Sequence, residues 1–425
     1  MSKFVSAAVA VQVVQPGDRV YVQAAAATPN ILTAALAERA AELKDVEVCH
    51  MHTEGPAPYA DPKLADSFHV NSFFIGKNVR HTLAAGNGSY TPVFLSELPR
   101  LFRKKVVTLD VVFIHISPPD AHGYCSLGVS VEATRAAIEM AKRVVAQVNP
   151  NMPRTFGDSL VHISEIDYLV EANVPIYSHG TDAITEQEDK IGSYVASLVD
   201  DGSTLQMGIG SIPNAALTKL VHHKNLGLHT EMFSDGVIDL IENGIINCNH
   251  KGVVKGRALA TFLLGSKRLY DFVNDNPFIE MRESSFVNDT AVIRRNPKMV
   301  AINSAIEVDV TGQVCADSIG SRMYSGVGGQ MDFIRGASLS EGGKAIIALP
   351  SVTKNGENKI VPFLKEGAGV VTTRGHVQYV VTEYGIADLY GKTLKQRAKA
   401  LINIAHPMHR EAIDNAYFNT FKVSI

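Results

Sequence analysis

The chain carries one sequence pattern twice. In the first copy, the alternating segment 18–23 predicts a strand, a loop of small residues follows, and Thr28 and Pro29 open a helix. In the second copy, 204–206 is the strand and a glycine-containing loop leads into a helix at Pro213. Each copy then continues through a helix into a short strand ending in His-Thr-Glu, at 52–54 and at 229–231. This order indicates duplication of one structural unit.

Strands alternate with helices along both copies, which is typical of the α/β class. Near-continuous apolar segments at 106–116 and 344–350 predict strands buried on both faces. We therefore expect two tandem, duplicated α/β domains with mainly parallel sheets.

A boundary between these domains is predicted near residue 185. The polar turn 178–182 separates the apolar segment 174–176 from an acidic helix predicted over 186–200. The predicted domains are 1–185 and 186–425, and the second carries Glu231.

Charge and composition restrict the class of partner. Forty basic and 43 acidic residues give a net charge of −3, and no basic block is present, so nucleic acid is not an expected partner. No apolar run approaches the roughly 20 residues that a membrane helix needs. Segment 1–14 is interpreted as a first helix rather than a signal peptide, because Ser6 and Gln12 interrupt its apolar run.

The cysteines and histidines do not suggest a metal site. The four cysteines stand singly, which fits reduced structural thiols in a cytoplasmic protein, and the histidines lack the spacing of a zinc-binding helix. No metal or redox cofactor is expected. The four cysteines are Cys49, Cys125, Cys248 and Cys315.

The second His-Thr-Glu segment is a candidate site. Gly208 and Gly210 end a predicted parallel strand, where backbone N–H groups and a helix N-terminus favour an oxyanion or phosphate. Pro213 rules out a G-x-G-x-x-G fingerprint. By contrast, Glu54 follows alanines, so only the second copy suits close ligand approach. Glycines in such turns are commonly structural, however, and a lone Glu is commonly a solvated surface residue.

Two further segments have alternative interpretations. The glycine cluster at 326–329 presents backbone donors or forms a flexible linker. Asp120 and His122 could form a catalytic dyad, but no Gly-x-Ser-x-Gly elbow is present, and a structural turn is the better interpretation.

Four long motifs resemble the acetyl-CoA hydrolase/transferase family, in particular its shorter butyryl-CoA or 4-hydroxybutyrate CoA-transferase branch. The resemblance covers almost the whole chain. The motifs are QVNPNMPRT at 147–155, GIGSIPNA at 208–215, HTEMFSDG at 229–236, and VTEYGIADL at 381–389 followed by IAHP at 404–407.

The resemblance implies a class I CoA-transferase fold, assembled as a homodimer or a larger even oligomer. It also implies that Glu231 is the nucleophile and that Gly208 and Gly329 stabilise oxyanions. Lys359 lies near enough in sequence to be confused with Lys354, which resembles a lysine near the CoA phosphates. The implied CoA-binding residues are Gln206, Met207, Gly208, Ile209, Gly210, Ile306, Gly329 and Lys354.

The function implied by the resemblance is CoA exchange between a short-chain acyl-CoA, either 4-hydroxybutyryl-CoA or butyryl-CoA, and acetate. CoA would pass through a glutamyl thioester on Glu231, with coenzyme A as substrate and no added cofactor. One alternative is an acyl-CoA hydrolase that uses the same nucleophile. A more remote alternative is a sugar-phosphate isomerase or an effector-binding protein of related fold.

Overall fold

The computed structural model describes residues 4–180, 183–208 and 210–422. Contacts within the chain divide it into two compact units, one formed by Met1–Gly180 with Leu259–Val287 and the other by Thr181–Ala258 with Asn288–Ile425. The first unit thus includes a segment from the second half of the sequence. The two tandem domains expected over 1–185 and 186–425 stay a prediction.

Short helices connect the strands in both units. The α-helices of the described residues are α1 (Ala7–Ala10), α2 (Asn30–Glu38), α3 (His81–Ala85), α4 (Leu98–Arg103), α5 (Thr134–Met140), α6 (Glu186–Ser197), α7 (Ser211–Lys219), α8 (Ile238–Glu242), α9 (Lys267–Val273), α10 (Ser284–Val287), α11 (Thr290–Ile293), α12 (Gln330–Leu339), α13 (Leu394–Ile404) and α14 (Pro407–Phe421).

The strands are numbered in the same way along the chain. They are β1 (Arg19–Val22), β2 (Val46–His50), β3 (Phe68–Ser72), β4 (Gly88–Tyr90), β5 (Val111–Ile116), β6 (Tyr124–Ser126), β7 (Arg143–Val148), β8 (Phe156–Gly157), β9 (Leu160–His162), β10 (Tyr168–Glu171), β11 (Thr204–Met207), β12 (Gly227–Leu228), β13 (Met232–Phe233), β14 (Ala258–Ala260), β15 (Phe262–Leu263), β16 (Ile279–Met281), β17 (Met299–Asn303), β18 (Glu307–Asp309), β19 (Val314–Cys315), β20 (Ser318–Ile319), β21 (Arg322–Met323), β22 (Lys344–Ala348), β23 (Ile360–Val361), β24 (Tyr379–Thr382) and β25 (Gly385–Asp388).

The first unit contains a seven-stranded sheet in the order β10-β7-β5-β1-β2-β3-β4. Every neighbouring pair in it is parallel. From β1 the chain proceeds outward on one side through β2, β3 and β4, and then on the other side through β5, β7 and β10. The order therefore reverses between β1 and β5, which in α/β sheets is where ligand crevices form.

The second unit repeats this topology. Its main sheet has the order β12-β11-β17-β22-β24-β25 and is parallel except for the terminal pair β24 and β25. The order reverses between β11 and β17, the counterparts of β1 and β5. These sheets confirm the predicted α/β class with mainly parallel strands.

The strand predicted over 106–116 is shorter than expected and begins at Val111. Val106 is instead 68% exposed, because the N–H groups of Val106 and Val107 donate to the carbonyl oxygen of Leu101 and close α4. The predicted helix over 186–200 ends at Ser197.

The four cysteines are buried free thiols. Of the helices in the described part of the chain, none combines the length and the apolar character needed to cross a bilayer.

Candidate active site

The glycine loop of the second copy borders an open cavity at the reversal point between β11 and β17. The cavity has a volume of about 190 Å³. A Cβ atom built on Gly208 or Gly210 would meet no atom within 4 Å, and Gly210 has a φ of +117°, which L-residues rarely adopt. Ile209 lies outside the described residues. The lining residues are Gly208, Gly210, Ser211, Ile212, Pro213, Ile302, Asn303, Ser304 and Ala348.

The equivalent place in the first copy is filled. The loop residues 24–27 are all alanine and at most 2% exposed. Before them, the side-chain amide of Gln23 donates to the carbonyl oxygens of Leu127 and Ser130 and accepts from the N–H of His115. The duplicated units thus differ as the sequence comparison predicts, with one loop packed and one open.

Glu231 lies between β12 and β13, and its neighbour Thr230 fastens it to the end of β11. The Thr230 hydroxyl accepts from the N–H of Met207 at 3.2 Å and donates to the carbonyl oxygen of Met232 at 2.7 Å. The carboxyl ends of β11 and β12 are adjacent in the parallel sheet. The second His-Thr-Glu segment is therefore joined to the residue that precedes Gly208.

Two residues from distant parts of the sequence meet the Glu231 carboxylate. Asn288 is fully buried, and its Nδ2 donates to Oε2 of Glu231 at 2.9 Å. A Cβ atom built on Gly329 would overlap both Glu231 Oε2 and Asn288 Nδ2. Gly329 has a φ of −102°, which any residue adopts, so the site requires glycine there for space and not for backbone conformation.

The loop that carries Gly329 is also fastened to the cavity wall. The side chain of Gln330, the first residue of α12, donates to the carbonyl oxygen of Ser304 at 3.1 Å. Asn303, which directly precedes Ser304 at the end of β17, donates to Oε1 of Gln206 on the neighbouring strand β11 at 2.9 Å. The predicted residues Gln206, Gly208, Gly210, Glu231 and Gly329 thus belong to one connected region of the second unit.

The Glu231 carboxyl has an unusual affinity for protons. Burial raises its pKa to about 7, although the hydrogen bond from Asn288 acts in the opposite direction. The flanking Met232 and Phe233 are 5% and 1% exposed, which explains the low polarity of the surroundings. A carboxylate that is poorly solvated and held by one donor is better suited to nucleophilic attack than a fully hydrated one.

We expect the activity of the free enzyme to fall about tenfold per pH unit below pH 7, because the protonated carboxyl cannot attack. The acidic limb of kcat/KM against pH, measured with the acyl-CoA substrate that the resemblance implies, reports this pKa. Asn288→Leu should move the limb to higher pH, since it removes the hydrogen bond that opposes the burial effect. Glu54→Gln is the control and should leave the limb in place; a limb near pH 4.5 in the wild type would contradict the assignment.

Residues that support Glu231 from behind were not identified from the sequence. His229 is fully buried; its Nδ1 lies 2.9 Å from Asn296 Nδ2, and its ring packs edge-on against Phe333. Asn288 and Asn296 are separated from Glu231 by long stretches of sequence. An Asn before a helix, as Asn288 precedes Asp289 and α11, predicts a capping residue and not a site residue.

The other residues predicted to contact CoA lie in separate surroundings. Lys354 is exposed beside α6, where its charge, with the hydroxyls of Ser211 and Thr185, lowers the pKa of Glu188 against the opposing effect of burial. Lys359 is partly buried, and burial lowers its pKa.

Ile306 follows β17, and its N–H donates to the carbonyl oxygen of Cys315. No described contact joins Ile306 to Glu231. Over residues 4–180, 183–208 and 210–422, no group of three or more His, Cys, Asp or Glu side chains is arranged to hold a metal ion.

Two family descriptions match the chain. Residues 1–177 match the acetyl-CoA hydrolase/transferase N-terminal domain, and residues 265–417 match the acetyl-CoA hydrolase/transferase C-terminal domain. Together these matches cover most of the sequence.

Individual relatives span nearly the full length. A succinyl-CoA:acetate/propanoyl-CoA:succinate CoA transferase from Fasciola hepatica is 52% identical over 96% of this chain and 86% of its own. A 4-hydroxybutyrate coenzyme A transferase from Clostridium kluyveri is 48% identical over 99% of this chain and 98% of its own. The solved structure of a 4-hydroxybutyrate CoA-transferase from Porphyromonas gingivalis is 41% identical over 97% and 96%, with a TM-score of 0.84.

Proposed function

The chain belongs to the acetyl-CoA hydrolase/transferase family and is a CoA-transferase, and from this premise we propose that Glu231 carries CoA as a glutamyl thioester while it passes between two carboxylic acids. The observation that carries the proposal is the contact of one carboxylate, Glu231, with the amide of Asn288 and with a glycine that leaves it room.

The first half-reaction converts acyl-CoA into an enzyme thioester. A Glu231 oxygen attacks the thioester carbonyl, the C–S bond breaks, and CoA leaves as a thiolate, so that an acyl-glutamyl anhydride remains on the enzyme. The thiolate then attacks the glutamyl carbonyl and expels the first acid as its carboxylate. The second acid repeats these steps in reverse. Its carboxylate attacks the glutamyl carbonyl and displaces the CoA thiolate, which gives a new acyl-glutamyl anhydride. The thiolate then attacks the new acyl carbonyl, forms the product acyl-CoA and releases the Glu231 carboxylate.

The residues around Glu231 fit the charge that develops in these steps. Each tetrahedral adduct places a negative charge on a carbonyl oxygen, and the Asn288 amide and the backbone N–H groups near Gly208 and Gly329 are the donors that we assign to it. Such a donor contributes about 3–4 kcal/mol. Holding the thioester beside the carboxylate contributes a further ~7–11 kcal/mol, derived from binding the remote parts of CoA.

We assign CoA binding to the second unit, at the reversal point between β11 and β17. We assign the cavity beside the glycine loop to the pantetheine arm and the exposed Lys354 to the phosphates. The full set of CoA contacts remains the one inferred from the sequence: Gln206, Met207, Gly208, Ile209, Gly210, Ile306, Gly329 and Lys354. We also infer that the enzyme is a cytoplasmic homodimer or a larger even oligomer.

For the acid substrates, we propose acetate on one side and a short-chain acyl-CoA, 4-hydroxybutyryl-CoA or butyryl-CoA, on the other. The relative from Clostridium kluyveri is a 4-hydroxybutyrate transferase, and that from Fasciola hepatica includes acetate in its name. The latter also names succinate, so a screen of acceptors should compare straight-chain, hydroxylated and dicarboxylic acids.

The covalent intermediate gives a direct test. When acyl-CoA is supplied and the acceptor acid withheld, intact-protein mass spectrometry should show one CoA per subunit, and peptide mapping should place it on the segment 229–231. Added acetate should discharge the adduct as acetyl-CoA, because the thioester must react with the second acid.

Borohydride provides the matching control, since it reduces thioesters and leaves carboxylates intact. It should inactivate the enzyme only after acyl-CoA has been added. Release of free CoA at the same rate with and without acetate would identify a hydrolase. Exchange without any adduct would require a direct ternary complex and would exclude Glu231 as the carrier.

A further inference from the structure

Two motifs near the C-terminus have no part in the chemistry at Glu231, yet the structure brings them together. The Thr382 hydroxyl donates to the carbonyl oxygen of Ile404 at 2.5 Å and accepts from the N–H of Tyr384 at 3.1 Å. Tyr384 follows β24, and Ile404 ends α13 immediately before Ala405 and His406. The hydroxyl therefore fixes the backbone at the start of both exposed turns.

These turns display an aromatic and cationic surface, the Tyr384 patch, formed by Tyr384, His406, His409 and Arg410. The ring of His406 packs edge-on to Tyr384 with centroids 5.5 Å apart, and that of His409 lies 5.9 Å from His406. The Arg410 guanidinium carbon is 5.5 Å from the Tyr384 ring centroid. Because Tyr384 is still 38% exposed, part of its ring remains available to a ligand.

The cation of the patch has unused hydrogen-bonding capacity. Arg410 Nε donates to the carbonyl oxygen of Ala405 at 2.9 Å, while its two terminal nitrogens have no hydrogen-bond partner within the described residues. These nitrogens form the fork that binds phosphate oxygens in pairs. The Nε–H position of His409 donates to the carbonyl oxygen of Gly356 at 3.1 Å, which joins the patch to the turn containing Lys354.

Hydrogen bonds also relate the patch to the cavity beside Gly208. Ser211 lines that cavity, and its hydroxyl donates to Glu188 on the first turn of α6. The adjacent residue, Gln187, donates to Glu383 at 2.5 Å, and Glu383 precedes Tyr384. Only two side-chain hydrogen bonds and two peptide steps therefore separate the cavity wall from the patch.

The carboxylate of Glu383, the residue before Tyr384, is bound by groups outside the patch. It therefore does not point into the patch, where it would repel an anion. Its Oε2 accepts from the N–H of Ser351 at 2.9 Å, and its Oε1 accepts from the Ser351 hydroxyl at 2.6 Å as well as from Gln187. The carboxylate is thus held toward Ser351 and α6. The side chains that form the patch are aromatic or basic.

We propose that the Tyr384 patch, together with Lys354, binds the nucleotide end of CoA, the 3′-phosphorylated ADP. Adenine stacks on the exposed aromatic surface, and Arg410 and Lys354 pair with the phosphates. The long pantetheine arm then reaches the cavity beside Gly208. This inference rests on the proposed CoA site and adds the residues that recognise the part of CoA farthest from the thioester.

The test measures nucleotide binding without chemistry, using adenosine 3′,5′-bisphosphate as the probe in calorimetry. Tyr384→Ala and Arg410→Ala should each weaken its binding about 5- to 20-fold. Tyr384→Phe should retain most of the affinity, because the ring is preserved. Tyr390→Ala and Lys395→Ala are matched controls, since they remove an exposed tyrosine and an exposed lysine outside the patch, and they should change nothing.

Truncated substrates separate recognition from structural support. In Tyr384→Ala and Arg410→Ala, KM for acyl-CoA should rise while kcat/KM for the corresponding acyl-pantetheine stays unchanged. Equal losses with both substrates, or unchanged affinity for the bisphosphate, would overturn the proposal. Failure to trap CoA on Glu231 would affect the proposed mechanism and not this binding measurement.

A measurement on the wild-type protein avoids dependence on the folding of variants. Diethyl pyrocarbonate should modify the partly exposed His406 and His409, and CoA should slow that modification severalfold while pantetheine does not. Equal protection by pantetheine, or no protection by CoA, would place the nucleotide elsewhere.

Discussion

Glu231→Gln should reduce transfer by about four orders of magnitude or more, because the amide fills the same space but cannot attack a thioester. CoA affinity should remain within about twofold of the wild type, since the CoA contacts that we propose are made mostly by residues other than Glu231. Steady-state exchange and calorimetry with CoA measure the two effects. Glu231→Ala should show the same loss and excludes recovery through slow hydrolysis of the introduced amide.

The duplicated sequence supplies the control for this prediction. Glu54 occupies the same place in the first His-Thr-Glu segment, and its Oε1 lies 3.3 Å from His179 Nε2. It follows a packed alanine loop and not an open glycine loop, so Glu54→Gln should cost less than about tenfold in rate. Total and equal loss in both variants would show that the comparison of the two copies assigns the chemistry to the wrong half.

Gly329→Val should lower kcat by about 10²- to 10³-fold, the loss expected when one oxyanion donor is displaced. The structure adds a second reason, since the side chain would overlap both Glu231 Oε2 and Asn288 Nδ2. Gly329→Ala should already show part of the effect, because the overlap begins at Cβ. Rates and melting temperatures should be measured together.

The melting temperature is informative because Gly329 is buried, so the valine must displace its neighbours. Gly375→Val is the matched control: Gly375 is exposed, and an added Cβ would come no nearer than 3.7 Å to another residue. It should leave both quantities unchanged. Full activity in Gly329→Val would remove this loop from the site.

Local sequence patterns predicted the elements that position Glu231. The strand, loop and helix around Gly208 and the segment ending at Glu231 follow from periodicity, Pro213 and the repeated tripeptide. The comparison of glycines with alanines also predicted which copy is open. These inferences succeed because each depends on residues within one turn or one strand.

Contacts between distant segments could not be predicted in this way. Asn288 reaches Glu231 from the start of α11, and nothing in its own neighbourhood distinguishes it from a helix cap. The requirement for glycine at 329 arises from atoms of two other segments, so a flexible linker remained an equal interpretation of that sequence. Likewise, Val106 continues an apolar run but is exposed, because the preceding helix needs the residues 104–107 for its termination.

The participation of Leu259–Val287 in the first unit has a consequence for biosynthesis. This segment supplies two charged partners. The Glu283 carboxylate binds both terminal nitrogens of Arg103, at 2.6 and 2.7 Å. Arg282 pairs with Asp158 at 3.0 Å. A nascent chain that has reached Gly180 therefore lacks the paired contact of Arg103 with Glu283, although Glu139 is already present to bind Arg103, and it lacks the Arg282 partner of Asp158. At about 5–20 residues per second, the ribosome needs roughly 5 to 20 s more to deliver them. During that interval we expect the unit to remain incomplete and dependent on chaperones, and a fragment cut at Gly180 would stay in that state permanently.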